Sequence, residues 1–257
     1  MAYGLRESAM RAMILAAGFG TRLRPLTGTL PKPLLPIAGR PLIVWNLLLL
    51  RRHGVTEVMI NLHHLGHLIE QALGDGSQFG MRIAYSKEPV LLGTGGGLKQ
   101  AEPFFGGEPF FVLNGDTLFD LHLDDMTAAY RRSHAVAAMA VRADPDAERW
   151  GAVELDAARR VRRISGRGVN PEGRSEKRMF AGVHLMHPRL LASVPAGRES
   201  SIIDAYVGAI QAGETVAGCE LAGYWSDFGT PERYAQAQRD AEAGLIRLEE
   251  RLVKGET

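Results

Sequence analysis

Two glycines and a group of cationic residues follow the first apolar segment of this 257-residue chain. The apolar segment Met13 to Ala17 runs directly into Gly18 and Gly20, and Arg22 and Lys32 come after them. Glycines allow a backbone to turn tightly and to approach a ligand without a Cβ in the way. Backbone N–H groups in such a turn, together with guanidinium and ammonium groups, form a concave site for a polyphosphate. We therefore predict a phosphate-binding turn rather than an ordinary strand-to-helix connection with surface arginines.

This turn differs from two familiar phosphate-binding fingerprints. A P-loop has Lys-Ser or Lys-Thr directly after its second glycine, whereas Gly20 is followed by Thr21 and Arg22. A dinucleotide-binding fingerprint requires a third glycine where this chain has Leu23. The pattern therefore indicates a phosphate site of another kind.

The composition is that of an ordinary globular protein with a formal net charge of +1 at pH 7. General nucleic-acid or membrane-surface binding requires a concentrated basic excess, so we expect neither partner. The one cysteine, Cys219, excludes an internal disulfide and a cysteine-based zinc cluster, which favours a reducing compartment such as the cytoplasm. No apolar run approaches the ~18 residues that a membrane span requires.

The first residues differ in character from the rest of the chain. Residues 1–9 include charged side chains and no apolar stretch, so we expect a flexible extension rather than a secretory signal. Residues 10–257 contain no internal repeat and no linker between domains. A chain of this length can bury a core that needs no disulfide, and we predict a single domain.

Strands and helices alternate along the first part of the chain. We predict strands at residues 13–17, 57–61, 82–85, 110–113 and 136–141, and helices at residues 41–53, 65–73, 123–133 and in a short segment ending near 102. This alternation predicts an α/β fold with a mostly parallel central sheet and helices on both faces. Strands at 152–155, 161–164 and 180–186 predict a small antiparallel extension, and a helix at 201–212, a strand at 215–221 and a final helix from Pro231 toward Leu252 complete the chain.

A second glycine-rich turn, which includes Gly95, lies within the run from Leu92 to Leu98. Backbone exposed by consecutive glycines can lie against a planar group or a sugar, and the N-terminus of the following helix favours an anion. A flexible linker is the alternative, but linkers are not usually followed at once by a helix. We therefore predict that this turn contacts a ligand.

Two aspartates are candidate metal ligands. Asp116 follows the buried strand 110–113 through Asn114 and Gly115. Ligands of open α/β sheets gather beyond the carboxyl ends of the strands, so we predict that Asp116 binds a metal ion rather than capping a turn. Asp227 lies just before the final helix, where a solvated loop residue is the alternative.

Four motifs along the chain form one series. L-A-A-G-x-G-T-R-L-R-P with its following P-K-P-L spans Leu15 to Leu34, and N-G-D stands at Asn114 to Asp116. A-G at Ala181-Gly182 and W-x-D-x-G-T at Trp225 to Thr230 follow. The series resembles the sugar-1-phosphate nucleotidyltransferase family over about Met10 to Gln238. No hexapeptide repeat remains to form the C-terminal β-helix domain of the larger members.

The resemblance implies a Rossmann-like nucleotidyltransferase fold and the reaction of an NTP with a sugar 1-phosphate to give an NDP-sugar and pyrophosphate. It implies that Arg22 and Lys32 are catalytic residues that hold the triphosphate and the incoming phosphate, and that Asp116 and Asp227 bind a catalytic Mg²⁺. Gly182 is expected beneath the sugar. The implied nucleotide-binding residues are Leu15, Ala16, Ala17, Gly18, Gly20, Thr21, Gly95 and Asn114. Such a reaction needs positioning and charge neutralisation, because the attacking phosphate oxygen is already ionised.

The sequence departs from the family pattern where the acceptor phosphate is held. Many members place Glu-Lys after the strand equivalent to 161–164, whereas this chain has Ser165-Gly166-Arg167. Arg167, Lys177 or Arg178 is then expected to bind the sugar phosphate, unless that phosphate is held differently. Compact members without the Glu-Lys include the N-acetylmuramate 1-phosphate uridylyltransferases, which give the leading prediction. Mannose and heptose 1-phosphate guanylyltransferases are the alternatives.

Two further classes compete with a sugar-directed enzyme. A catalytically silent nucleotide-sugar sensor usually lacks a phosphate-binding or metal-binding residue, yet all four such residues are present here. A phosphocholine cytidylyltransferase is the other alternative, since this architecture hosts many activities. Lys87 and Glu88 are candidates for reading the base, and the sequence leaves the oligomeric state undecided.

Overall fold

The structure is a computed structural model that describes residues 10–246. Its strands are β1 (Arg11–Leu15), β2 (Pro36–Ile37), β3 (Arg40–Pro41), β4 (Glu57–Leu62), β5 (Arg82–Lys87), β6 (Phe110–Asn114), β7 (Thr117–Phe119), β8 (Ala137–Arg142), β9 (Val153–Leu155), β10 (Val161–Ile164), β11 (Arg167–Gly168), β12 (Glu176–Met186), β13 (Val216–Glu220) and β14 (Trp225–Asp227). Its α-helices are α1 (Leu42–Arg52), α2 (Gly66–Leu73), α3 (Gly93–Ala101), α4 (Leu123–Arg132), α5 (Ile202–Gln211) and α6 (Pro231–Glu242). Among the described residues, no helix combines the length and the apolar character needed to cross a bilayer.

The described residues divide into two compact units. The first unit contains residues 10–91, 113–121 and 223–246, and the second contains residues 92–112 and 122–222. Strand β6 leads from the second unit into the first at Leu113. The single domain expected over residues 10–257 stays a prediction, and the flexible extension expected over residues 1–9 lies outside the described residues.

A parallel ladder of three strands forms the centre of the first unit. Strand β4 pairs with β1 on one side and with β5 on the other. Neighbouring parallel strands need a crossover connection, and the chain supplies helix α1 between β1 and β4 and helix α2 between β4 and β5. The interior of β1, Ala12 to Ile14, is fully buried, as expected of a parallel strand covered on both faces.

An apolar cluster in the first unit packs together segments that are far apart in the chain. Trp45 on α1 is buried in it and donates a hydrogen bond from Nε1 to the carbonyl of Ile37 at 3.0 Å. The buried members are Leu23, Leu35, Ile37, Leu42, Trp45, Leu118, Phe228 and Ala237. The cluster therefore fixes the segment after β1, strand β7, the residue after β14 and helix α6 relative to one another.

Strand β12 organises the second unit. It pairs antiparallel with β8 along one part of its length and with β9 along another. Strand β13 pairs parallel with β8, and β10 pairs antiparallel with β9 and β11. Helix α5 begins at an N-cap, where the hydroxyl of Ser201 accepts from the N–H of Ile203 at 3.2 Å.

The predicted α/β class with a largely parallel central sheet is confirmed, and the antiparallel extension is present as β9, β10, β11 and β12. The predicted strands 57–61, 110–113 and 161–164 agree with β4, β6 and β10 to within one residue. Strand β12 begins at Glu176 rather than at Phe180, because its polar first residues pair with β9.

Two predictions about helices were wrong, and one ladder was not predicted. The residues from Gly93 to Gly97 are the first part of α3 rather than a turn before a helix. Helix α6 ends at Glu242 instead of continuing toward Leu252, and Gly244 follows with a φ of 68°. We did not predict the antiparallel pairing of β7 with β14, which are three residues long each.

One carboxylate links the three parallel strands of the first unit. Arg11, Glu57 and Arg82 are aligned in register on β1, β4 and β5. The Glu57 carboxylate lies 2.6 Å from Arg11 Nε and 2.5 Å from Arg82 Nη2. Hydrogen bonds from the two guanidinium groups lower the pKa of Glu57 below its ordinary value of 4.5.

We expect Glu57→Gln to lower the free energy of unfolding by no more than about 1 kcal/mol at pH 7, because the pair is partly solvated. A depressed folded-state pKa adds stability that is complete above the ordinary pKa of 4.5 and is lost as the pH falls through the lowered value. Urea unfolding of both proteins as a function of pH will therefore show a difference at pH 7 that closes in acid. A difference that stays constant with pH contradicts the assignment.

Candidate active site

The turn after β1 is built by backbone and hydroxyl hydrogen bonds within the first unit. Ala16 and Ala17 continue β1 and are buried, whereas Gly18 is exposed. Gly20 has a φ of 63°, a left-handed conformation that favours glycine, and its carbonyl accepts from the Thr27 hydroxyl at 2.8 Å. The turn is therefore held from within and presents exposed backbone at Gly18.

A buried hydrogen-bond chain supports this turn from below. The Ala16 N–H donates to Asn61 Oδ1 at 2.8 Å, and Asn61 Nδ2 donates to Glu88 Oε1 at 2.7 Å. Asn61 is 2% exposed and Glu88 is 3% exposed, so these contacts satisfy groups that water does not reach. Glu88, a candidate for reading the base, thus supports the turn through Asn61. We did not predict the role of Asn61, although a polar residue near the end of the apolar strand β4 is a signal.

The two predicted catalytic cations lie on successive 3-10 helices. Arg22, on Thr21–Leu23, is exposed. Lys32, on Lys32–Leu34, is only 7% exposed, and its Nζ lies 2.6 Å from Asp116 Oδ2. A buried ammonium group requires a paired anion, and Asp116 supplies it.

Asp116 follows β6 through a glycine that no other residue can replace without movement. The Gly115 N–H donates to the carbonyl of Leu15 at 2.9 Å, and a Cβ on Gly115 would lie 2.7 Å from that oxygen. The end of β6 is therefore held close to the end of β1. The carbonyl of Asn114 also accepts from Asn46 Nδ2 on α1 at 3.3 Å.

The ladder of β7 and β14 brings the two predicted metal ligands together. Asp227 on β14 is the register partner of Thr117, the residue after Asp116. The N–H of Phe228 donates to the carbonyl of Asp116 at 3.1 Å, and the Phe228 ring is fully buried. The structure thus places Lys32, Asp116 and Asp227 on adjoining segments of the first unit.

The Asp227 carboxylate is held by hydrogen bonds to one of its oxygens. Oδ1 accepts from the N–H of Gly229 at 3.1 Å and from Arg233 Nη1 at 2.7 Å. Arg233 lies on α6, and we did not predict its contact with Asp227. No sequence signal beyond its place in the first turn of a helix pointed to it.

The arrangement can bind a cation and phosphates together. Carboxylate oxygens are the ligands that Mg²⁺ prefers, and the Asp116 side chain is 41% exposed, so it can reach a solvated ion. The ammonium of Lys32 and the guanidinium of Arg22 supply positive charge for phosphate oxygens. Leu15, Ala16, Ala17, Gly18, Gly20, Thr21 and Asn114 lie in the same unit as these groups.

Gly95, predicted to offer exposed backbone to a ligand, is instead buried in α3. Its N–H donates to the carbonyl of Ser200 at 2.8 Å, and a Cβ on it would lie 2.8 Å from Ser200 Oγ. Gly96 is packed still more tightly, since a Cβ at that position would lie 2.4 Å from the Arg198 carbonyl oxygen. The α3 glycines therefore allow close packing against residues 198–202, and the nucleotide contact of Gly95 stays a prediction.

The three cations predicted as candidates for the sugar phosphate lie in the second unit, and each is paired with a carboxylate. Arg167 Nη1 lies 2.8 Å from Asp204 Oδ1, and Arg178 Nη2 lies 2.7 Å from Glu176 Oε2. Lys177 donates to Glu148, which raises the pKa of Lys177. Gly182, predicted beneath the sugar, has a φ of 85° at a point where the register of β12 with β8 shifts. The structure does not bring Arg167, Lys177 and Gly182 into one group by hydrogen bonds.

Comparisons with known proteins identify the family of the chain. A family model described as nucleotidyl transferase matches residues 11–244. An N-acetylmuramate alpha-1-phosphate uridylyltransferase from Neisseria meningitidis serogroup B is 41% identical over 237 residues, which are 89% of this chain and 97% of that protein. A UTP–glucose-1-phosphate uridylyltransferase from Synechocystis is 34% identical over 244 residues, which are 90% of this chain and 63% of that protein.

Solved structures show the same fold. A Bacillus anthracis protein in complex with sucrose has a TM-score of 0.79 and 25% identity, with 91% of this chain and 95% of that chain covered. A UDP-glucose pyrophosphorylase from Acinetobacter has a TM-score of 0.74 and 20% identity, with 93% and 95% covered. The chain therefore belongs to the nucleotidyl transferase family. Within that family, it is an enzyme of the sugar-1-phosphate nucleotidyltransferase group, as its motifs predicted.

We expect Gly96→Ala to lower the free energy of unfolding by about 1–3 kcal/mol, because its Cβ would overlap the Arg198 carbonyl oxygen. Gly208→Ala is the matched control, since that glycine lies on α5 with no atom within 4 Å of its Cβ position. The free energy of unfolding of this control should be unchanged or higher by up to ~1 kcal/mol, because alanine has a higher helix propensity than glycine. Urea unfolding measures both, and equal stabilities of the two variants would refute the packing role.

Proposed function

We propose that this chain is a Mg²⁺-dependent uridylyltransferase that joins UTP and N-acetylmuramic acid α-1-phosphate to give the UDP-sugar and pyrophosphate. The observation that carries the reaction type is the Lys32–Asp116 contact at 2.6 Å beside Asp227, after a glycine turn. The choice of sugar and base is supported by the relative that is 41% identical and 97% covered. The guanylyltransferase relatives are less similar. One mannose-1-phosphate guanylyltransferase is 31% identical, and 65% of its length is covered.

The reaction needs no strong general base in this mechanism. A phosphate oxygen of the sugar 1-phosphate attacks the α-phosphorus of UTP, the bond from that phosphorus to the bridging oxygen breaks, and pyrophosphate leaves with its electron pair. The attacking oxygen is ionised at neutral pH, so the protein must mainly align the two phosphates and cancel their repulsion.

Lys32 and Arg22 are suited to that task in different ways. The Lys32 ammonium is a compact point charge held in a buried position by Asp116, so little reorganisation is needed to bind a phosphate oxygen. Arg22 is exposed on the turn and offers a planar set of donors to the triphosphate. The backbone at Ala17 and Gly18 supports close approach of the nucleotide.

Asp116 and Asp227 fit a hard divalent cation, because both are carboxylates and Asp227 has both of its hydrogen bonds on Oδ1. A bound Mg²⁺ would neutralise charge on the phosphate oxygens. Two protein ligands would leave room for those oxygens and for water on the ion.

We also propose a cytoplasmic location. The one cysteine, Cys219, is buried, and burial raises the pKa of its thiol to about 11, so the fold depends on no disulfide and exposes no reactive thiolate.

Pyrophosphate release with a substrate panel tests this proposal. We expect UTP with N-acetylmuramic acid α-1-phosphate to exceed every other pair in kcat/KM by at least about tenfold, since a built site rejects analogues that leave polar groups unpaired. The panel includes GTP with mannose 1-phosphate and with a heptose 1-phosphate, UTP with glucose 1-phosphate, and CTP with phosphocholine. A preference for a guanine pair overturns the substrate assignment, and no release with any pair overturns the enzymatic one.

We expect Asp116→Asn and Asp227→Asn each to lower kcat by about 10²–10³-fold, because an amide is a poor ligand for Mg²⁺ and removes a negative charge. Asp125→Asn, on an exposed position of α4, is the control and should keep full turnover. Circular dichroism confirms folding of each variant, and turnover is followed against Mg²⁺ concentration. Near-normal kcat in both site variants would contradict the metal assignment.

A further inference from the structure

Arg233 contacts the proposed site, although it belongs neither to the glycine turn nor to the residues predicted to bind phosphate. Arg233 Nη1 donates to Asp227 Oδ1 at 2.7 Å. The Asp227 side chain is 15% exposed and that of Arg233 is 29% exposed, so this ion pair is more enclosed than most surface pairs. The carboxylate would otherwise turn about its side-chain bonds, and the guanidinium restricts it to one orientation.

The start of α6 places Arg233 at this carboxylate. Thr230 caps the helix, and its hydroxyl accepts from the N–H of Arg233 at 3.4 Å. Tyr234, the next residue, donates from its hydroxyl to the carbonyl of Pro36 at 2.8 Å and packs its ring edge against Phe228. The backbone of Arg233 is therefore fixed both along the helix and against the rest of the first unit.

Gly229 completes the support of Asp227. Its N–H is the second donor to Oδ1, at 3.1 Å, and a Cβ on Gly229 would lie 3.0 Å from Oδ2 and 3.1 Å from Oδ1. The absence of a side chain at Gly229 therefore keeps the space beside both oxygens open. The two oxygens differ in their hydrogen bonds, because both donors act on Oδ1.

We propose that Arg233 is a positioning residue that holds Oδ1 of Asp227 so that Oδ2 is presented to the metal ion. This inference rests on the proposed metal role of Asp227. Groups that hydrogen-bond a metal ligand orient it, and their loss typically costs 10–100-fold in metal affinity. Arg233 acts on the reaction only through Asp227, and its guanidinium need not contact either substrate.

Binding of Mn²⁺ to the nucleotide-free protein, followed by electron paramagnetic resonance, tests the inference without turnover. We expect Arg233→Met to raise the Kd for Mn²⁺ by about 10–100-fold. Arg233→Lys keeps a cation and one donor to Oδ1, so it should recover part of that loss. Arg239→Met is the matched control on the same helix, where the native side chain donates to Gln236 instead, and it should leave the Kd unchanged.

The outcomes separate this inference from the function on which it rests. Weaker Mn²⁺ binding in both Asp227→Asn and Arg233→Met, with partial recovery in Arg233→Lys, supports a positioning role. Weaker binding in Asp227→Asn with native affinity in Arg233→Met overturns that role and leaves the metal site standing. Native affinity in Asp227→Asn overturns the metal assignment and the inference with it. A purely structural latch would lower the melting temperature of Arg233→Met without moving the Kd.

Discussion

The contact between Lys32 and Asp116 is the constraint on which the candidate site depends. Lys32 is only 7% exposed, so its ammonium group needs an anion within reach, and that anion, Asp116, lies 84 residues away in the sequence. To make the contact, the segment after β1 must meet the end of β6. Gly115 makes this possible, since its backbone lies directly against the carbonyl of Leu15. The phosphate turn and the first carboxylate are therefore set by a single packing solution.

The position of the Asp227 carboxylate depends on the same packing, because β14 pairs with β7. Strand β7 follows Asp116 directly, and β14 ends at Asp227. The pairing of the two strands places Asp227 opposite Thr117, the residue after Asp116. The buried rings of Phe228 and Trp45 lie in the apolar cluster beneath this ladder.

Much of this could be predicted from local pattern. The glycines and cations after β1 indicated a phosphate turn, and the position of Asp116 followed from the rule that ligands gather beyond strand ends. Local pattern alone did not distinguish Asp227 from a solvated loop residue, because an aspartate before a helix cap is common in such loops. Its place in the W-x-D-x-G-T motif gave the prediction, and the ladder with β7 gives it a physical basis.

The supporting residues were not predicted, because local pattern does not identify the partner of a polar side chain. Asn61 reaches Ala16 across 45 positions of sequence, and Arg233 meets Asp227, six positions before it, only through the fold of the segment between β14 and α6. The position of the α3 glycines could not be predicted from local pattern either. Consecutive glycines are compatible with an exposed loop and with a closely packed helix, and the choice is decided by the backbone at Arg198 and Ser200.

The cations predicted to bind phosphate differ in how strongly their surroundings hold them. Lys32 is buried whereas its partner Asp116 is 41% exposed, so removing the carboxylate leaves an uncompensated buried charge at Lys32. Arg167 and Lys177 are about half exposed, at 55% and 54%, and their carboxylate partners are exposed as well. Solvated pairs of this kind stabilise a fold weakly, so either cation can leave its carboxylate for a phosphate at small cost. The cation that follows the glycine turn is therefore held inside its unit, whereas these two cations of the second unit are held only by solvated pairs.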